Sequence, residues 1–255
     1  MLLNETQTAI RETVRSFMQE RIRPRVAEFE ADGGYPAEVF EEMGALGLMG
    51  MTAPVAAGGA ELDAVTYALA LIETAAGDGA LSSIMSIHNS LVVAGLLKDG
   101  TDEQRERFLA ELIAGRMIGA FALTEADAGS DAAAIRTRAR KVAGGYVIDG
   151  TKQFITSAST AGVAIVFAVT DPDLGKKGIS AFLVPTDLPG YLVDKVEHKL
   201  GQRASDTCAI RFENLFVEDS LRLGAEGRGY RIALSNLETG RIGIGAQSVG
   251  MAQTA

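Results

Sequence analysis

Near the amino terminus, Ile10, Val14, Phe17, Met18, Ile22, Val26 and Phe29 return at helical spacing and draw one apolar stripe. Asn4 and Gln7 stand where a capping box would satisfy the first free amides of that helix. Pro24 falls inside the stripe and, lacking an N–H, predicts a bend. Gly33 and Gly34 end the helix, Pro36 opens another, and the loop "APVAAGGAELD" precedes a second stripe of Leu62, Val65, Leu69 and Ile72. Ala80 to Leu97, "ALSSIMSIHNSLVVAGLL", carries no formal charge and reaches the length of a membrane span. Its serines, histidine and asparagine assign it instead to a helix buried on most sides in a bundle. Thr101 and Gln104 form a second capping box for "DEQRERFLAELIAG", which Gly115 closes. Residues 1–116 therefore read as an all-α helical domain.

From Met117 the period shortens to alternation, in "MIGAFALT", "AIRTRARKV", "YVIDGTKQFIT", "AIVFAVT", "GISAFLVP" and "CAIRFENLFV". Gly144-Gly145 and Asp149-Gly150 supply hairpin turn chemistry. Strand follows strand without helices between them, which predicts an antiparallel barrel or sandwich-like domain over residues 117–225. Residues 226–255 return to helical character, with Leu234, Leu237, Ile242, Ile244, Val249 and Met251 among small residues. No glycine or asparagine cap and no basic last turn closes that helix, so it is expected to be the first helix of an incomplete carboxy-terminal bundle. The fold class expected is α+β.

Composition narrows the chemistry. The 255 residues are 47% hydrophobic and 22% charged, which fits a folded globular chain, and the net charge of −9 argues against nucleic acid as the main partner. Cys208 is alone, which removes intramolecular disulfides and favours a cytoplasmic location; His88 and His198 lie too far apart in sequence to suggest a metal site. The start "MLLNETQTAI" lacks the pattern of a signal peptide. "GRIGIGAQSVG" tempts as a dinucleotide fingerprint, but no strand precedes it and its third glycine is misplaced, so close helix packing is the better account. Neither histidine sits in a hydrolase context.

The polar run "FALTEADAGSD" after an apolar strand, and "TKQFITS" beyond it, are the candidate chemistry. In the order helices, β domain, helices, the motifs "PVAAGGAELD", "GAFALTEADAGSD", "GTKQFITSA", "KGISAFLVP", "HKLGQRASDTCAIRFENLFV" and "GAEGRGYRIALSNLETGRIGIGAQSVGMAQTA" together resemble the acyl-CoA dehydrogenase family, closest to its short-chain and bacterial members. The resemblance implies FAD as cofactor. It assigns backbone and hydroxyl contacts at the pyrimidine edge to Phe121, Leu123 and Thr124, and an aromatic wall with a hydroxyl near N5 to Phe154, Ile155 and Thr156. Gly129 and Ser130 would meet the pyrophosphate and the acyl-CoA, and Ser130, Glu238 and Arg241 would line the substrate. On residue chemistry alone, Phe121 and Phe154 read as core aromatics and Thr156 as a strand hydroxyl, while Glu125, Asp127 and Asp131 bond the turn's own amides or face water.

The sequence departs from the family where Ala126 and Asp127 replace a proline and a glycine, and where Phe154 replaces a tryptophan. The implied reaction is α,β-dehydrogenation: a carboxylate takes the α-proton while the β-hydrogen leaves as hydride to the flavin. The family places its base before the arginine of the "ETGR" segment or much further along. Here Gly240 precedes Arg241, so no catalytic residue is assigned and the base glutamate is expected beyond Ala255. The resemblance further implies electron-transfer flavoprotein as acceptor and a homodimer or homotetramer. The alternatives are an acyl-CoA oxidase or flavin monooxygenase on the same scaffold, or a non-catalytic flavin- and CoA-binding subunit.

Overall fold

The computed structural model describes residues 2–255. Its architecture is α+β: helices, a mixed sheet, and a long closing helix. Helix α1 (Glu5–Phe17) opens on the expected box, Asn4 Oδ1 accepting from Gln7 N at 2.8 Å and Gln7 Oε1 from Asn4 N at 3.2 Å. Its stripe then runs through a π-turn (Met18–Ile22) and a 3-10 turn (Arg23–Arg25) into α2 (Val26–Asp32). Pro24 is the cause: it offers no N–H, and its ring crowds the carbonyl four residues back, so the helix widens and retightens around it.

Helices α3 (Ala37–Ala45) and α4 (Ala64–Gly77) follow, the latter capped by Asp63. Helix α5 (Gly79–Ile87) passes through a second π-turn, His88–Val93, into α6 (Ala94–Asp99). This run, Gly79–Asp99, has the length and hydropathy to cross a membrane, yet 78% of its apolar window is buried inside the protein, as the serines and asparagine predicted. The Thr101 box begins α7 (Asp102–Ile113), and Gln104 also donates to Ser220 O at 2.7 Å and Arg222 O at 2.9 Å. One cap therefore both starts a helix and ties the helical region to the sheet.

The strands are β1 (Gly119–Ala122), β2 (Arg138–Val142), β3 (Gly145–Thr156), β4 (Val163–Val169), β5 (Ile179–Pro185), β6 (Tyr191–Val196), β7 (Thr207–Glu218) and β8 (Arg222–Leu223). They form one sheet in the order β6-β7-β3-β2-β4-β5-β8, with β1 joined to β4. Three features differ from expectation. The sheet is not purely antiparallel, because β1 runs parallel to β4 (Phe121 opposite Ile165) and β2 touches β4 in parallel. Asp149-Gly150 makes no hairpin: β3 continues through it with a register shift, and Gly150 at φ 146° lies where a β-carbon would meet Thr137 within 2.9 Å. Strand β6 escaped the pattern because it is an edge whose last four residues are exposed and include Asp194 and Lys195, charges that protect an edge from pairing.

Helix α8 (Gly229–Thr254) inverts the usual amphipathic rule. Beyond Ile232 in its first turn, its buried face is small or polar, Ala233, Asn236, Gly240, Gly243, Ala246, Gln247 and Gly250, whereas Leu234, Ile242, Ile244, Val249 and Met251 point outward. A β-carbon at Gly243 would overlap the Ser86 hydroxyl, so the glycine run is close helix packing against α4 and α5, not a nucleotide loop.

Candidate functional site

Strand β3 carries the decisive local geometry. Tyr146, Ile148 and Lys152 face inward on the even positions, as a strand of period two requires. Between Lys152 and Ile155 the pairing with β7 slips, and parity reverses: Ile155 turns inward at 2% exposure and Phe154 turns outward at 62%. The reversal is made by Phe154 itself, at φ 59°, with Ser157 at φ 62° just beyond. A left-handed backbone at a bulky residue costs about 1–2 kcal/mol. Burying such a ring would have contributed roughly 1.5–3 kcal/mol instead. Phe154 is thus not the core aromatic that residue chemistry suggested, whereas Phe121 is: it is buried, its ring 4.9 Å from that of Phe167.

The bulge is bound to the loop after β1. Lys152 is fully buried and its Nζ donates to Leu123 O at 3.0 Å and to Glu125 Oε1 at 2.9 Å. Gln153 N donates to Thr124 O at 2.9 Å. Glu125 in turn accepts from Arg136 N at 2.6 Å and Thr137 N at 3.0 Å, so its carboxylate does bond amides, though not those of its own turn. Burial pushes Lys152 down to about 8, against the pull of Glu125. Burial pushes Glu125 up, but the charge and hydrogen bond of Lys152, with the Thr137 and Arg136 bonds, outweigh it and hold the carboxyl below its ordinary range. Of the other acids in the loop, Asp131 accepts from Ala133 N at 3.2 Å, and Asp127 lies in solvent 3.4 Å from Arg136.

What remains open is the set assigned to a flavin. Thr124 and Thr156 are half-buried, and Gly129 and Ser130 are exposed. Among the described residues no chain acceptor engages the amides of Thr124, Gly129 or Ser130. A β-carbon at Gly129 would meet nothing within 4 Å, so neither backbone strain nor packing explains that glycine. Free donors, an unfilled approach at Gly129 and an outward ring fit a planar, phosphate-bearing cofactor. Phe121 and Ile155, being buried, can offer it only backbone groups.

The second region lies between α5, its π-turn and α8. A cleft of about 460 Å³ is lined by Ser86, Ser90, Leu91, Gly240, Arg241 and Ile244, among others. Arg241 reaches it, but Glu238, one turn earlier and exposed, does not line it. Neither forms an ion pair among the described residues.

Two contributors went unread in the sequence. His88, fully buried at the start of the π-turn, accepts from Gly119 N at 3.3 Å through Nδ1 and, in the tautomer that this requires, donates from Nε2 to Leu112 O at 3.0 Å. Burial pushes it down to about 4, so it is neutral and links the cleft helix to β1. Lys152 was legible in principle, since a lysine on the inward parity of an apolar strand requires a buried partner.

Residues 4–116 match the family model for the acyl-CoA dehydrogenase N-terminal domain, and residues 120–215 that for the middle domain. The chain is 43% identical over 253 residues to the short-chain specific acyl-CoA dehydrogenase of Bos taurus mitochondria, covering 99% of this chain and 61% of the relative. It superposes on the butyryl-CoA dehydrogenase of Megasphaera elsdenii with a TM-score of 0.95 at 35% identity, covering 100% of this chain and 67% of that one. The glutaryl-CoA dehydrogenase of Mycobacterium smegmatis, solved in complex with FADH2, gives a TM-score of 0.90 at 38% identity, covering 97% and 62%. The chain thus spans about two thirds of the length of these proteins.

Proposed function

This chain belongs to the acyl-CoA dehydrogenase family, and from that membership we propose that it carries the flavin-facing part of an enzyme for α,β-dehydrogenation of an acyl-CoA thioester, of short chain by analogy with its relatives. The observation that carries the reading is Phe154, held outward on a strained bulge beside the Thr124 loop, a geometry with no benefit to the fold itself. Thr124, Gly129 and Ser130 would hold FAD through backbone and hydroxyl groups, and Phe154 and Thr156 would form its second wall. FAD, when bound, supplies the acceptor for the β-hydrogen of the acyl chain.

The chain's own residues bind and orient. Arg241 and the apolar side of the cleft would receive the acyl-CoA, with Ser130 toward its phosphates. Glu238 lines no part of that cleft, and we assign the proton-removing carboxylate to a residue outside positions 1–255. Electron-transfer flavoprotein is the proposed acceptor and a homodimer or homotetramer the proposed assembly.

Titration of the purified chain with FAD, read by flavin fluorescence and absorbance, tests this. Saturable quenching with a shifted spectrum is expected, and Phe154→Ala should weaken it at least tenfold, about 1.4 kcal/mol. Absence of saturable binding, or an unchanged affinity in Phe154→Ala, would remove the reading. Peroxide formation from acyl-CoA by the complete enzyme would favour an oxidase over a dehydrogenase.

A further inference from the structure

Lys152 is buried more completely than function at a surface loop would require, and burying an ammonium is costly even when it is paired. What it obtains there is orientation. The peptide unit is planar and trans, so the carbonyl of one residue and the amide of the next point in opposite directions, and the described chain contains no cis bond. Lys152 Nζ captures Leu123 O, which turns the Thr124 N–H away from β3. Gln153 N captures Thr124 O, which turns the Glu125 N–H the other way, where it meets Ala128 O at 3.2 Å and starts the tight turn toward Gly129. Glu125 then anchors the ammonium from the far side through two amides of the following segment.

We propose that Lys152 and Glu125 are a positioning pair, which presents the Thr124 amide as a free donor to the flavin and braces the bulge that turns Phe154 outward. The pair touches no ligand. It acts through Leu123, Thr124 and Phe154, and the proposal rests on the flavin reading of that loop.

The test compares Lys152→Met, Glu125→Gln and the double variant in the whole chain, with FAD as probe. Lys152→Met leaves Glu125 buried without its partner and should lower the melting temperature. The double variant removes both charges and should recover most of that loss. A merely structural pair would recover FAD affinity together with stability. A positioning pair leaves the double variant at least tenfold weaker for FAD, with an altered flavin absorption envelope, because Leu123 O is no longer held. Hydrogen exchange without FAD gives a second readout: in Lys152→Met and in the double variant, residues 121–129 and 153–157 should lose protection together while β5 keeps its own. Unchanged exchange in both segments overturns the proposal whether or not FAD binds, as does a double variant with wild-type FAD affinity. A wild-type chain that fails to bind FAD, yet shows the coupled loss of protection, would defeat the flavin reading and leave the positioning of the loop intact.

Discussion

Around Lys152, buried charge and a strained backbone hold one aromatic ring in the open; along α8, Ile242, Ile244 and Val249 are about half exposed on an unstrained helix simply because glycines occupy much of the inner face. The first region is completed from within. Its carbonyls, carboxylate and ammonium are all bonded inside the chain, and only the outward groups remain free. The second is not, since apolar side chains and Arg241 face out with no partner among the described residues. The difference teaches that the wall proposed for the cofactor is held entirely by bonds within the chain, whereas the cleft between α5, its π-turn and α8 is only partly enclosed. His88 is the joint between them: it begins the π-turn that borders the cleft, its Nδ1 accepts from Gly119 N of β1, and its Nε2 donates to Leu112 O of α7.

The largest expected effect follows from the unfinished side. With butyryl-CoA and a dye acceptor, turnover by these 255 residues should fall below that of the complete bovine relative by at least the 10²–10⁴-fold that a general base contributes. FAD should also bind more weakly than in that relative. Normal turnover with stoichiometric flavin would show that a base lies within the chain and that the cleft is complete.

The finished side can be broken without unfolding it. Phe154→Gly relieves the left-handed strain, at some cost in unfolded-chain entropy, and an exposed ring contributes little to the core. Stability to urea should stay level or rise by about 0.5–1 kcal/mol, while FAD affinity drops at least tenfold. Destabilisation by more than about 1 kcal/mol would make Phe154 a structural residue, as its sequence context first implied.

The joint between the regions is sensitive to pH. The neutral His88 of the folded chain titrates near 4, against an ordinary value of 6.5. Its contribution is therefore fully present above 6.5 and is lost as pH falls from 6.5 toward 4, because the unfolded chain takes up the proton first. Over that window the loss should approach roughly 3 kcal/mol. Urea midpoints at pH 7, 5.5 and 4.5 should converge between wild type and His88→Gln, which carries no titratable ring; parallel lines would mean that His88 is solvated in the fold with an unshifted pKa.

Much of this was legible beforehand, and the exceptions have physical causes. Capping boxes at Asn4 and Thr101, the bend at Pro24 and the buried Gly79–Asp99 helix follow from local rules that tertiary contacts did not override. The parallel β1, the edge strand β6 and the bulge at Phe154 depend on which strand lies alongside, and no single segment encodes that. Alternation could not announce that parity reverses between Lys152 and Ile155. Hence Phe154 read as core from its residue type, and the partner of Lys152 went unseen although Glu125 had been singled out.

Arg241 and Glu238 give the smallest effects and the finest contrast, because they share a helix one turn apart and only the arginine borders the cleft. Both side chains are exposed and unpaired, so Arg241→Gln and Glu238→Gln should each alter stability by less than about 0.5 kcal/mol. In the complete enzyme, Arg241→Gln should raise KM for acyl-CoA severalfold, whereas Glu238→Gln should leave both KM and kcat unchanged. A kcat collapse in Glu238→Gln would turn the assignment around: the carboxylate would then reach the cleft after a rotation of α8, and the missing base would lie within this chain.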